Sequence, residues 1–369
     1  MCRRLGCNVP AARHFSSSEG NMKVGIFDHV ERAADRPIAT TYNERLKFAA
    51  AADDAGIYCL HVAEHHATPL NLVPVPGVYL GAVARLTKRM RLGPLCYLLP
   101  LYSPLRLAEE ICILDHLSNG RLEIGVGRGV SPFELGYHKI AHADSREIFI
   151  DAFECMTTAL SNDTFSYKGK HYEYANVPMA LRPLQQPLPP FWYGSSNTTG
   201  ATWSGEHGMH FVANGPTDYA IVNIDAYREA LAKRGGPAAP KAEFRGGAVI
   251  GALRHIVVAE TDAEARNIAK SNVEYHVNSL NWLRKMHAQN EAQVRGLVPR
   301  GVTLEEWERD GMAIAGSPAT VVAEIERQTD KLGINYLLSY LFFGTMTLEQ
   351  AMRSLALMRS EVMPKIERL

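Results

Sequence analysis

No two of the six cysteines in this 369-residue chain stand in a Cys-x-x-Cys pair. That excludes a zinc ribbon and argues against a disulfide framework, so a reducing, cytoplasmic setting is the expectation. Charge of one sign is also lacking: 39 basic side chains meet 39 acidic ones. A nucleic-acid partner would call for a basic surface, and none is implied. No uninterrupted apolar run approaches the roughly 20 residues that span a bilayer, which speaks against a membrane protein. The dinucleotide fingerprint Gly-x-Gly-x-x-Gly is missing after the first strand, and there is no helical His-Glu-x-x-His, so no metal is expected. The rest is ordinary for a globular protein, with 46% hydrophobic and 21% charged residues.

Residues 1–21 differ from the rest of the chain. They hold Arg3, Arg4, Arg13, three consecutive serines and a single acid, Glu19. They read as a disordered or non-native N-terminal extension, without the apolar core of a secretory signal. From Met22 onward, apolar runs of strand length alternate with helical patterns at a spacing of roughly 30 residues. Strands are expected at 23–28, 57–63, 90–99, 121–129, 191–194, 209–213, 249–259 and 335–341. Helices are expected at 43–55, 78–86, 105–117, from 144 to about 160, 219–234, from 262, 318–332 and 348–363. A hairpin is expected at 164–174, around Lys168-Gly169-Lys170. Such alternation implies a parallel sheet of βαβ units, either open and doubly wound or closed as a (β/α)8 TIM barrel with insertions. The missing fingerprint and the count of eight favour the barrel, as one domain over residues 22–369. Residues of about 280–316, with Trp282 and Trp307, break the rhythm and read as an insertion, a candidate active-site lid.

The stretch Arg121-Leu122-Glu123-Ile124-Gly125-Val126-Gly127-Arg128-Gly129 organises the rest. Its alternating apolar residues form a strand that runs into glycines and an arginine. Ligands sit at that end of a parallel strand. Glycine admits close backbone approach, and a guanidinium clamps a phosphate with a planar fork of donors.

Other motifs stand in order around it: Glu64-His65-His66, Leu99-Pro100, Ser103-Pro104-Leu105-Arg106-Leu107-Ala108-Glu109-Glu110, Leu114-Asp115 and Gly120-Arg121. As an ordered set with Gly127-Arg128-Gly129, they resemble the bacterial luciferase-like flavin-dependent monooxygenases, closest to the luciferase α-subunit branch. The resemblance covers residues 22–369. It implies a (β/α)8 barrel and reduced FMN (FMNH2) delivered by a separate NAD(P)H:flavin reductase. It also implies O2 as co-substrate, a homodimer, and oxygenation of an organic substrate.

By position, the resemblance places Arg128, Arg146, Ser195, Ser196 and Thr199 at the flavin phosphate. It places Leu95, Cys96 and Gly127 beside the flavin ring, with a non-proline cis peptide at Leu95-Cys96. His65 matches the catalytic histidine at the reacting edge. The chain departs from the pattern at Gly127, where luciferases carry a cysteine. Strand alternation would turn Glu64 and His66 away from His65. Phe27, Tyr97 and Trp192, together with Leu95, are expected to wall a pocket for a small, largely apolar substrate. Two alternatives stand beside this reading: a deazaflavin (F420)-dependent oxidoreductase of the same fold, and a non-catalytic flavin-binding subunit.

Overall fold

A computed structural model describes residues 22–288 and 303–369. The N-terminal extension and the middle of the expected insertion, residues 289–302, lie outside the described residues.

In chain order the strands are β1 (Lys23–Asp28), β2 (Cys59–Val62), β3 (Arg91–Pro94), β4 (Tyr97–Leu98), β5 (Ile124–Gly127), β6 (Thr164–Lys168), β7 (Glu173–Pro178), β8 (Phe191–Ser195), β9 (His210–Ala213), β10 (Ile250–Val258), β11 (Ala313–Gly316) and β12 (Tyr336–Tyr340). The long ladder runs β3-β2-β1-β12-β10-β9-β8-β5-β4, and all its pairings are parallel. A parallel bridge between Leu92 and Leu122 joins its two ends. Counting β3 and β4 as two halves of one position, eight positions close a barrel, as expected. Residues of β2 and β12 are buried at every position. That is why these strands read as apolar runs and not as alternation: helices cover the outside and side chains fill the inside.

The covering helices include α1 (Ile38–Ala55), α2 (Pro76–Leu86), α3 (Pro104–Ser118), α4 (Pro132–Tyr137), α5 (Ser145–Ser161), α6 (Thr198–Glu206), α7 (Thr217–Arg234), α8 (Asp262–Leu280) and α9 (Trp282–His287). Their ends follow local chemistry. Gly56 stops α1 with φ 86°, and its N–H bonds back to Ala52 and Asp53. The Asp53 carboxylate then accepts from the amides of Lys88, Arg89 and Met90, fixing where β3 begins. Arg121 ties the ends of α2 and α3 together through the carbonyls of Ala84, Thr87, Met90 and Ser118.

Several expectations need correction. The third strand is not continuous over 90–99: it breaks at Leu95–Cys96, a cis peptide, into β3 and β4. α1 starts five residues earlier than expected, after Pro37. The hairpin is longer than expected, ending at Pro178. The described parts of 280–316 contain α9, a helix at Leu304–Arg309 and β11. β11 adds to the outer half of β10, pairing with His255–Val258. It is only four residues long, too short to show a period among its neighbours.

The barrel floor is sealed. The Glu123 carboxylate is fully buried and accepts from Trp192 Nε1 at 2.5 Å, Lys241 Nζ at 2.7 Å and the Arg91 guanidinium. Trp192 packs against the rings of His61, His210 and Tyr336. Burial alone would raise the Glu123 pKa, but Lys241 and Arg91 outweigh it and hold it at about 2.

Candidate active site

At the carboxyl ends of the barrel strands lies a cavity of about 610 Å³, within the range of small-ligand sites. One half is polar. Arg128 follows β5, and Arg146 sits in the first turn of α5. Neither guanidinium has a hydrogen-bond or ion-pair partner among the described residues. Opposite them, the end of β8 and the loop after it carry Ser195, Ser196 and Asn197 into α6. The Asn197 side chain caps the helix by accepting from Gly200 N–H at 3.0 Å. Ser195 Oγ accepts from the Asn197 amide at 3.1 Å and donates to its carbonyl at 2.9 Å, which braces the turn. Thr199 lies in the first turn of α6, and all these residues line the cavity. Two unpaired guanidiniums facing a helix N-terminus make a place for an anion.

The middle of the cavity is lined by Leu95, Cys96, Gly127, Tyr193 and Gly194. A Cβ on Gly127 would lie 2.1 Å from Cys96 Sγ, so a side chain at 127 and the thiol at 96 exclude each other. The sulfur beside position 127 comes from Cys96, in the break between β3 and β4. Burial pushes the Cys96 pKa far up, so the thiol is an uncharged packing group there.

The other half is lined with imidazoles. His65 Nδ1 is 3.2 Å from Glu134 Oε1, and the same carboxylate accepts the His66 amide at 2.8 Å. Burial opposes the Glu134 charge, but its bonds to His65 and His66 lower its pKa overall. Glu134 is carried by α4, whose N-cap Ser131 accepts from the Glu134 amide at 3.3 Å. His29, at the end of β1, stacks on His65 with ring centroids 5.3 Å apart and bonds Tyr340 Oη at 2.9 Å. His255, His276, Tyr340 and Trp307 complete this wall. Burial holds His29 and His255 well below the usual imidazole pKa. Among the described residues, no group of three or more His, Cys, Asp or Glu side chains could hold a metal.

The structure therefore brings Phe27, His65, Leu95, Cys96, Gly127, Arg128, Arg146, Ser195, Ser196 and Thr199 to one cavity. It does not bring Tyr97 or Trp192 there. Tyr97 turns outward, its hydroxyl 2.7 Å from Glu110, because Cys96 and Leu98 take the inward positions on either side. Trp192 points inward but one layer too low, into the floor, and Gly194 stands at the cavity level above it. Glu64 also differs from expectation. β2 ends at Val62, so alternation no longer applies, and Glu64 lines the cavity beside His65. It accepts from Tyr102 Oη at 2.8 Å and the Leu98 amide at 3.1 Å, and His66 Nε2 lies at 2.9 Å.

Glu134, His29, His255, His276 and Tyr340 were not among the expected site residues. Glu134 had a readable signal: Ser131-Pro132-Phe133-Glu134 is a helix start, with a capping Ser, Pro at the first position and an acid at the third.

A closed barrel whose pocket, at the carboxyl ends of the strands, has two unpaired arginines on one side and an imidazole wall on the other has the layout of barrel enzymes that bind their ligands at that end. A family model described as luciferase-like monooxygenase matches residues 22–336. The chain belongs to that family, and the flavin-dependent monooxygenation implied by the resemblance stands as its class of activity. Protein y4wF of Sinorhizobium fredii is 35% identical over 344 residues, 93% of this chain and 96% of that one. The oxygenase component of the flavin-dependent trigonelline monooxygenase of Acinetobacter baylyi is 28% identical over 193 residues, 51% of this chain and 53% of that one. The oxygenating constituent of 3,6-diketocamphane monooxygenase of Pseudomonas putida, a type II Baeyer-Villiger enzyme solved with FMN, superposes with a TM-score of 0.78. It is 22% identical, with 93% of this chain and 98% of that chain covered, and this likeness concerns the fold.

Proposed function

We propose that this protein is the oxygenase of a two-component system. It takes FMNH2 from a separate NAD(P)H:flavin reductase and uses O2 to oxygenate a small organic substrate. The observation that carries this reading is the pair of unpartnered arginines, Arg128 and Arg146, facing the α6 N-terminus in the cavity that also holds His65. The residues fit FMN. An anion-binding rim suits its phosphate, and the glycine-opened, uncharged centre around Leu95, Cys96 and Gly127 suits a flat ring.

Reduced FMN supplies the two electrons that activate O2. The chain supplies the rest. Arg128, Arg146, Ser195, Ser196 and Thr199 hold the phosphate end. The buried apolar side chains around the ring position keep water out. His65, oriented by Glu134 through Nδ1, presents Nε2 as the nitrogen that exchanges a proton during oxygen activation. The protein would act as a homodimer, which sedimentation velocity tests.

The functional test is a substrate screen with FMNH2 and labelled O2, read by mass spectrometry. A product carrying one labelled oxygen is the expected result. Turnover with reduced F420 and no oxygen uptake with FMNH2 would contradict the proposal.

A further inference from the structure

The Glu134–His65 pair has a counterpart in the same cavity. Glu31 lies in the loop after β1 and is 2% exposed, and His276 lies on the buried face of α8 and is 1% exposed. His276 Nδ1 is 3.0 Å from Glu31 Oε1. The second Glu31 oxygen accepts from the Gly344 amide, so the carboxylate cannot turn away. A fixed carboxylate at Nδ1 selects the tautomer protonated there and leaves Nε2 with its lone pair. No partner for Nε2 occurs among the described residues, and His276 lines the cavity.

The groups around His276 come from several elements. His29 at the end of β1 is 5.5 Å away between ring centroids, His255 of β10 4.6 Å, Tyr340 of β12 5.2 Å and Trp307 6.1 Å. Beyond them, Asp28 is already paired with Arg45 at 3.1 Å. Of the groups in direct contact with His276, Glu31 alone supplies a counter-charge for a protonated imidazole. The wall itself is made of flat rings: His255 stacks on Tyr340 at 4.0 Å and tilts against Trp307 at 4.7 Å. Flat rings along a cavity wall favour a flat, ring-shaped ligand packed against them.

We propose that His276, positioned by Glu31, is a second acid–base centre that takes the proton of an aromatic substrate's hydroxyl group. The O–H bond breaks, its electron pair stays on oxygen, and the proton passes to Nε2 as Glu31 balances the imidazolium. The resulting aryloxide is the more electron-rich ring and the better acceptor of an oxygen atom. This inference rests on the proposed function for the oxygenation step, but the proton transfer is tested without it.

The probe is 4-nitrophenol, whose colour reports its own ionisation. Wild-type protein, with and without FMN, is titrated with it at a pH below the phenol's solution pKa. The expected result is a bound species with the aryloxide spectrum. In His276→Gln and Glu31→Gln the bound aryloxide-to-phenol ratio should fall by about tenfold or more, the equivalent of one pKa unit. Glu31→Asp should restore part of it, which a merely structural Glu31 would not do. FMN fluorescence titration of each variant checks folding, and if His276→Gln fails that check the two Glu31 variants decide. A phenol bound in its neutral form, no binding to wild type, or an unchanged aryloxide fraction in the folded variants would overturn the proposal. Loss of FMN binding by wild type would instead sink the proposed function and leave the phenol titration without FMN to judge this inference.

Discussion

The floor and the mouth of the barrel both bury carboxylates, and they treat them differently. At the floor, Glu123 meets the fixed cations Arg91 and Lys241 and a donor from Trp192. Its charge is held by those partners, and it is not among the residues that line the cavity at the mouth. At the mouth, Glu134 and Glu31 each meet the imidazole of a cavity-lining histidine, His65 and His276. The same burial thus serves as a structural clamp where the partner is a permanent cation. Under the proposed function it orients an acid–base group where the partner is an imidazole that a cavity touches. The difference lies in the partner and the access, not in the depth.

The largest way to break this contrast is at the floor. Glu123→Gln leaves the buried Lys241 and the half-buried Arg91 without their counter-ion and should cost about 3–5 kcal/mol of stability, read by urea unfolding. FMN affinity of the folded protein should not change. The floor also sets acid lability. Glu123 is at about 2 when folded against an ordinary value of 4.5, so its contribution is present above 4.5 and is lost as pH falls toward about 2. Burial depresses His61 from 6.5 to about 4, and the unfolded chain binds that proton first, so destabilisation begins as pH falls through 6.5. A series of unfolding curves from neutral to acid pH should show stability falling over both windows. A flat profile would remove the floor from the account.

At the mouth, His65→Ala should fold and bind FMN nearly normally but lose product formation by roughly 100-fold or more. Oxygen uptake should continue, with hydrogen peroxide as the outcome. Product, peroxide and oxygen measured in one reaction check this. Arg128→Ala should weaken FMN binding by about 1.5–3 kcal/mol, with a smaller loss for riboflavin, which lacks the phosphate. Equal losses for both ligands would place Arg128 away from the phosphate. The smallest effect is expected from Ser131→Ala, which removes the cap of the helix carrying Glu134 and should cost about 1 kcal/mol by thermal unfolding.

Much of this was legible in the sequence, for physical reasons that differ by element. The barrel showed because strands buried on both faces are apolar throughout and helices announce their ends with residues such as Gly56. The polar rim showed because Arg128 directly follows a glycine-ended strand. Depth within the barrel did not show. Trp192 and Tyr97 look like wall aromatics in a one-dimensional pattern, yet layer and sidedness send one to the floor and the other outward. The Glu31–His276 pair joins residues 245 apart, so no local spacing could reveal it.

The central claim is that the mouth is built for reduced FMN. Its most direct test is an anaerobic titration of the purified protein with FMNH2 and, in parallel, with reduced F420. The account predicts saturation with one FMNH2 per chain and binding of reduced F420 at least about tenfold weaker, a difference of 1.4 kcal/mol. Tighter binding of reduced F420, or no saturable binding of FMNH2, would contradict it.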